Sequence, residues 1–368
     1  DERLQNLYVG ALLHEIRYYG QTMGRPALST IYIGGGTPSL LAPEYIALLL
    51  KQIQVSFEVE ADAEITIECN PGTLNEEKLL TYKEAGLSIG LQSAFDDELK
   101  ILGRIHTYRQ FLENYECARR CGFENINVDL MSALPYQSTE KFVTSLKRVI
   151  ALKPEHISAY SLIIEKGTPF YEKYKFEAVL REAGKPTEHL PSEETEYEIY
   201  KKTQEILSEA GYEHYEVSNY AKQGKEARHN IGYWKRVPYL GVGLGAASLI
   251  GEVRYSNIRE IEAYIKACGN ISAKEIDGVP ALNLHESADA ISRHAQMEEF
   301  MFLGLRMLKG VTRTEFKETF GVEIEAVYGE VLNQLQEEDL IEKKAGVIKL
   351  SDHGMDISNY VLAQFLLD

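Results

Sequence analysis

Basic charge is in short supply in this chain. Its 368 residues carry 39 Lys and Arg against 56 Asp and Glu, a formal net charge of -17. A protein that grips free nucleic acid presents a basic face to the phosphates, so nucleic acid is excluded as the default partner. Long apolar runs are missing as well: none reaches the ~18 residues of a membrane-crossing helix, and no basic leader followed by an apolar run opens the chain. Cysteine is scarce. Cys69, Cys117, Cys121 and Cys268 form no disulfide framework, and the composition fits a reducing, cytoplasmic setting. Cys117 and Cys121 could share a helix face, but Ala118, Arg119 and Arg120 between them are not ligands, and two thiols alone seldom hold a metal. An opening strand is also lacking. The chain enters an amphipathic helix at residues 4–19, where a βα protein would begin with a strand, so an N-terminal segment is expected to be missing.

What is present is organised around Ile31 to Leu40, IYIGGGTPSL. A short strand runs into Gly34, Gly35 and Gly36, which permit unusual φ values and clear side chains from a ligand's path. On the triplet alone, a structural turn and a ligand turn are equally supported. Alternating strand and helix follow. Strands are expected at 64–69, 87–93, 126–131 and 156–164, with helices at 43–54, 76–85 (capped by Gly86), 96–102, 108–121 and 139–152. This is the pattern of a parallel sheet. Glu68, Gln92, Asp129 and Ser161 recur near the C-terminal ends of successive strands, where (β/α) barrels carry their chemistry; each could alternatively be a capping residue.

Residues 171–192 read as a charged surface excursion, and 193–210 as helix. A strand at 212–217 precedes Arg228-His229-Asn230-Ile231-Gly232-Tyr233-Trp234, which holds the only tryptophan. Gly241, Gly243 and Gly245 sit at every second position of an expected strand and imply close approach by a backbone or a flat ligand. Residues 269–291 look like a linker. From 292 to 368, three helices, a small hairpin and a final helix at 351–366 give a winged-helix-like pattern. Its helix at 323–337 bears Glu323, Glu325, Glu330 and Glu337 and no Lys or Arg, which argues against a DNA-reading surface.

Together these blocks resemble the oxygen-independent coproporphyrinogen oxidase-like radical SAM proteins, in their haem chaperone branch. The resemblance rests on Gly34-Gly35-Gly36-Thr37-Pro38-Ser39, Glu68-Cys69-Asn70-Pro71-Gly72, Ser88 to Ser93, Leu102 to Thr107, Asp129 to Pro135, Glu165 to Pro169, Arg228 to Trp234 and Ser358-Asn359-Tyr360. It covers nearly the whole chain. It implies an open (β/α)6 partial TIM barrel over 1–268, a linker over 269–291, and a mainly helical domain of the HemN C-terminal type over 292–368.

The cofactors so implied are a [4Fe-4S] cluster, S-adenosylmethionine (SAM) and haem. By resemblance Gly35, Gly36 and Thr37 contact SAM, with Glu68, Gln92, Arg104, Asp129 and Ser161 at the other contact positions. Arg104 suits the methionine carboxylate, or it is a salt bridge holding a loop. The family's three cluster cysteines are absent from this sequence, at the place where the opening strand is also absent. His229, Asn230, Tyr233 and Trp234 fit the HNxxYW pattern of the chaperone branch. His229 is a candidate haem iron ligand, with Tyr233 and Trp234 for porphyrin stacking; the competing reading is a packed histidine beside a core tryptophan. The implied function is binding haem and transferring it to haemoproteins, membrane-associated respiratory enzymes among them. A homodimer and peripheral membrane contact complete the expectation. The alternatives are a coproporphyrinogen III dehydrogenase and a non-catalytic small-molecule-binding regulator.

Overall fold

In the computed structural model, residues 2–367 are described. Helix α1 (Glu2–Thr22) buries Val9, Leu12, Ile16 and Tyr19, which recur at helical spacing. Strand β1 (Ala27–Ile33) runs into the glycine turn. Helix α2 (Pro43–Ser56) starts on a proline, whose missing N–H costs nothing there. The alternation continues through β2 (Glu58–Cys69), α3 (Glu76–Thr81), β3 (Gly86–Gln92), α4 (Asp96–Ile101) and α5 (Tyr108–Arg120). It goes on through β4 (Ile126–Ser132), α6 (Thr139–Ala151), β5 (His156–Ser161), α7 (Pro169–Glu182), α8 (Glu193–Glu209), β6 (Glu213–Glu216) and β7 (Asn219–Ala221).

These strands form one sheet in the order β1-β2-β3-β4-β5-β7-β6. Strands β2 to β5 pair in parallel, and β7 is antiparallel to both β5 and β6. Leu87, Ile89 and Leu91 of β3 and Ile126, Val128 and Leu130 of β4 are buried and, alternating along paired strands, share one face of the sheet. The sheet ends at β1 and β6 and does not close: it is the open α/β barrel anticipated above.

The chain divides into two compact units. One takes Asp1–Ile31, Leu41–Glu64 and Ala227–Asp368; the other takes Tyr32–Leu40 and Ile65–Glu226. The first unit adds α9 (Arg228–Trp234), β8 (Ala247–Ile250), β9 (Val253–Asn257), α10 (Ile261–Cys268), β10 (Ala273–Ile276), β11 (Val279–Leu282) and β12 (His285–Ala290). Its C-terminal part holds α11 (Arg293–Gly304), β13 (Val311–Thr312), α12 (Arg313–Phe320), α13 (Ile324–Glu337), β14 (Ile341–Lys344), β15 (Val347–Leu350), α14 (Asp352–Asp356) and α15 (Ser358–Ala363). Met301, Leu305, Phe316, Tyr328, Leu335 and Phe365 form its core.

Several local expectations change. The stretch 171–192 contains α7, which Thr168 caps through its hydroxyl, with Pro169 in the first turn. Residues 269–291 are no plain linker: β10 and β11 pair across Asp277-Gly278, and β12 joins β9. Gly86 is not a cap but the first residue of β3, opposite Thr66. The glycine run before Ala247 is a loop, and a backbone fills the close approach. A Cβ at Gly241 would lie 2.1 Å from the Ala247 carbonyl oxygen. The final helix is two short ones.

Gly243 shows what that loop is for. Its φ is +108°, and its N–H donates to Glu15 Oε2 at 2.9 Å. Asn257 Nδ2 donates to Glu15 Oε1 at 2.8 Å, and the Tyr264 hydroxyl donates to Oε2. Three donors favour the carboxylate, yet burial dominates and pushes Glu15 up from 4.5 to about 7. An acid whose folded pKa is raised contributes stability below its unfolded pKa and loses it as pH climbs through the folded value. The window is about pH 4.5 to 7, and the differential is roughly 3 kcal/mol. Glu15→Gln should flatten this dependence. Urea denaturation at pH 5 and pH 8 should show wild type losing more stability than the variant; equal losses would remove Glu15 as the source.

Candidate functional site

The second unit gathers polar groups where β1 to β5 end. Gly34 is glycine of necessity, since a Cβ there would lie 2.6 Å from the Tyr32 ring and 2.9 Å from the Glu68 carboxylate. Gly35 has φ +105°, and its N–H donates to Glu68 Oε2 at 3.1 Å. The Tyr32 hydroxyl donates to Glu68 Oε1 at 2.7 Å. Glu68 therefore pins the turn from the neighbouring strand. At Gly35 and Gly36 no atom lies within 4 Å of a would-be Cβ: that face of the turn looks onto open space.

Asn70 extends the wall. Its Nδ2 donates to Thr37 Oγ1 at 3.0 Å, and its Oδ1 accepts from Arg104 Nη1 at 3.2 Å. Among the described residues Arg104 makes no ion pair, so its guanidinium keeps donors for an anionic ligand group. The loop bearing Arg104 enters α5 through a capping box, in which the Thr107 hydroxyl accepts from the Gln110 N–H and the Gln110 side chain accepts from the Thr107 N–H. A cap of this kind contributes about 1 kcal/mol.

On β3 the register slips between Ile89 and Gln92, and Gln92 takes φ +72° although buried. A left-handed, buried, non-glycine residue is strained backbone of the sort held at functional sites. The Tyr160 hydroxyl of β5 donates to Gln92 Oε1 at 3.0 Å, which leaves the amide nitrogen to face Gly90. On β4, Asp129 accepts from Asn127 Nδ2 at 2.7 Å. Burial raises Asp129 to about 6; the Asn127 and Ser158 hydrogen bonds oppose that, the Glu68 carboxylate adds to it, and the Arg104 charge opposes it. Ser161 stands at the end of β5, its hydroxyl 3.2 Å from that of Ser132.

Of the residues expected from sequence, Gly35, Gly36, Thr37, Glu68, Gln92, Arg104 and Ser161 lie in this unit at strand ends or the adjoining loops, and Asp129 lies in the same unit at the middle of β4. Sequence reading missed Tyr32, Asn70 and Tyr160 as orienting side chains. Tyr32 had a signal: it sits two residues before the glycines, and alternation puts it on one face with Gly34.

His229, Tyr233 and Trp234 belong to the first unit, on α9. The Arg228 and His229 N–H groups both donate to the Glu64 carboxylate, at 2.8 and 3.0 Å. His229 Nδ1 lies 2.9 Å from Thr30 Oγ1, and Nε2 lies 2.9 Å from the Tyr233 hydroxyl. Burial lowers the His229 pKa, so the neutral imidazole, the form that ligates iron, prevails. The Tyr233 ring stands edge-on to both His229 and Tyr239, with centroids 4.8 Å apart in each pair. Trp234 carries the Arg306 guanidinium 4.7 Å over one face of its ring.

The cysteines do not fit an iron–sulfur cluster. Burial holds the Cys69 thiol up at about 12 and that of Cys268 at about 11, the unreactive protonated form. Among the described residues no group of three or more His, Cys, Asp or Glu is placed to hold a metal.

Glycines, carboxylates and an arginine thus gather toward the strand ends of an open α/β barrel, the end at which proteins of this architecture bind their ligands. Residues 3–149 match the Radical SAM superfamily, and residues 291–357 match the HemN C-terminal domain. The chain is 35% identical to the "Heme chaperone HemW" of Lactococcus lactis subsp. lactis (strain IL1403), over 98% of this chain and 89% of that protein. It is 37% identical to the protein of the same name in Bacillus subtilis (strain 168), over 98% and 91%. The solved coproporphyrinogen III oxidase (HemN) of Escherichia coli, described as a radical SAM enzyme, matches with TM-score 0.78 at 22% identity, over 100% of this chain and 84% of that one; at that identity the likeness shows the fold. The chain belongs to the HemW/HemN family of radical SAM proteins.

The glycine geometry separates packing from ligand approach. Gly34→Ala should destabilise the protein by roughly 1–3 kcal/mol through overpacking, whereas Gly36→Ala should leave the thermal midpoint within a degree or two of wild type. Calorimetry on both checks this; a Gly36→Ala loss as large as that of Gly34→Ala would refute the open-face reading.

Proposed function

We propose that this protein is a haem chaperone, which binds haem through the His229 segment and passes it to haemoproteins, with SAM as an accessory ligand of the strand-end pocket. The observation that carries the reading is His229: a neutral, half-buried imidazole whose ring nitrogens are held by Thr30 and the Tyr233 hydroxyl. With Tyr233 donating to Nε2, Nδ1 bears the proton and donates to Thr30. Rotation of the partly exposed Tyr233 then frees the Nε2 lone pair. Haem, when bound, supplies an iron centre that takes such a nitrogen. The relatives' names support the same assignment over coproporphyrinogen oxidation.

In the pocket, Arg104 would pair with the SAM carboxylate, Glu68 would hold the turn that receives the methionine end, and Asp129 would accept from hydroxyl or ammonium donors. Gln92 and Ser161 would complete the wall. We assign the cofactor role to residues 1–268 and an accessory role to 292–368. Among the described residues no three cysteines come together to hold the [4Fe-4S] cluster that the family implies.

Haem titration should show a Soret band that His229→Ala weakens or shifts, with affinity down about tenfold or more. Loaded protein should transfer haem to apomyoglobin and leave coproporphyrinogen III unchanged. Turnover of coproporphyrinogen III, or no haem binding by wild type, would overturn the reading. SAM affinity should rise as pH climbs through about 6, where Asp129 ionises, and should fall about tenfold in Gly36→Ala; calorimetric titration measures both.

A further inference from the structure

Behind Asp129 lies a line of side chains that the cofactor assignment does not use. The Asn127 amide is saturated. Its Nδ2 donates to Asp129 Oδ1 at 2.7 Å and to Ser88 Oγ at 2.9 Å. Its Oδ1 lies 3.2 Å from Ser158 Oγ, a hydroxyl it shares with Asp129, and 2.7 Å from His156 Nδ1. Two donors and two acceptor sites are all an amide has. The ionised Asp129 carboxylate can only accept, so the NH2 group faces Asp129 and Oδ1 faces the Ser158 hydroxyl and His156.

That fixes the histidine in turn. An amide oxygen cannot donate, so His156 Nδ1 carries the proton. Nε2 is then the acceptor, and it lies 2.7 Å from the Tyr215 hydroxyl, which donates to it. His156 is buried, and burial lowers its pKa to about 4, so it stays neutral at physiological pH. Asn127, Ser158 and His156 come from β4 and β5, where Asn127 pairs with His156 and Asp129 with Ser158; the line is built into the sheet register.

We propose that Asn127 and His156 are positioning residues for Asp129: His156, donating from Nδ1 to the Asn127 oxygen and accepting at Nε2 from Tyr215, holds the Asn127 amide so that its NH2 group always offers a donor to the carboxylate. A flipped Asn127 would turn its oxygen on Asp129 and favour the protonated acid. The proposal rests on the SAM reading only for its consequence, not for its geometry. The other groups that act on Asp129 are Tyr32 from β1, Glu68 from β2, Arg104 from the loop before α5, and Tyr160 and Ser158 from β5. Glu68 raises it and Arg104 lowers it, and neither depends on Asn127.

The test follows the Asp129 carboxyl carbon by NMR against pH in the full chain without SAM. Wild type should titrate near 6. Asn127→Leu should move the midpoint up by about one unit. Tyr215→Phe, a mild core change that releases the tautomer, should move it the same way by less. His156→Gln, whose amide can still donate to Asn127, should stay nearer wild type than His156→Leu. Unchanged midpoints in folded Asn127→Leu and Tyr215→Phe would overturn the proposal. SAM titration adds a separate arm. Its pH midpoint should shift in step with that of Asp129. If the NMR shifts occur and wild type binds no SAM, the positioning role stands and the pocket assignment fails.

Discussion

One carboxylate organises the strand-end site. Glu68 accepts from the Tyr32 hydroxyl and from the Gly35 N–H, tying the end of β2 to the turn after β1. Three successive glycines are entropically expensive to order, at roughly 0.5–1 kcal/mol each relative to alanine. Hydrogen bonds to a charged group return about 1.5–3 kcal/mol, so Glu68 can offset much of that cost. Two residues further on, Asn70 joins Thr37 to Arg104. The last residues of one strand thus place the turn, the hydroxyl and the guanidinium. Without Glu68 the glycines would still be permissive, and the turn would lose the carboxylate that anchors the Gly35 N–H.

The two candidate sites share a physical theme. Asp129 and His229 are each withdrawn from water, and in each the uncharged form gains. For the histidine this exposes a lone pair rather than a charge. For the aspartate it brings ionisation close to neutral pH, so that small changes in hydrogen bonding decide its state. Hydrogen bonds tune both groups, but desolvation sets the direction.

Much of this was legible in the sequence. The βα alternation and the polar residues at strand ends follow from periodicity and turn chemistry, which are local. The pattern failed where long-range packing governs. Residues 171–192 look like an excursion because α7 keeps Phe176 and Val179 exposed and buries chiefly Tyr174, so no strong apolar stripe announces it. Gly278 and Pro280 read as a linker, but they belong to a hairpin whose partner strands lack alternation. Glu68 was expected as a ligand contact; that its two oxygens also hold the turn is not visible in the sequence. Tyr160 and Asn127 act on residues of neighbouring strands, and only the register of β3, β4 and β5 reveals that.

Glu15 draws its partners from far along the chain: Gly243, Asn257 and Tyr264. During synthesis, α1 leaves the ribosome long before any of them. The whole span 65–226 of the other unit is complete while Glu15 is still unpaired and Val9, Leu12 and Ile16 still lack their full burial. Non-local contacts of this kind slow folding and lengthen the exposure of apolar surface. Helix α1 therefore waits longer for its partners than do the elements of 65–226, all of which are synthesised before Gly243.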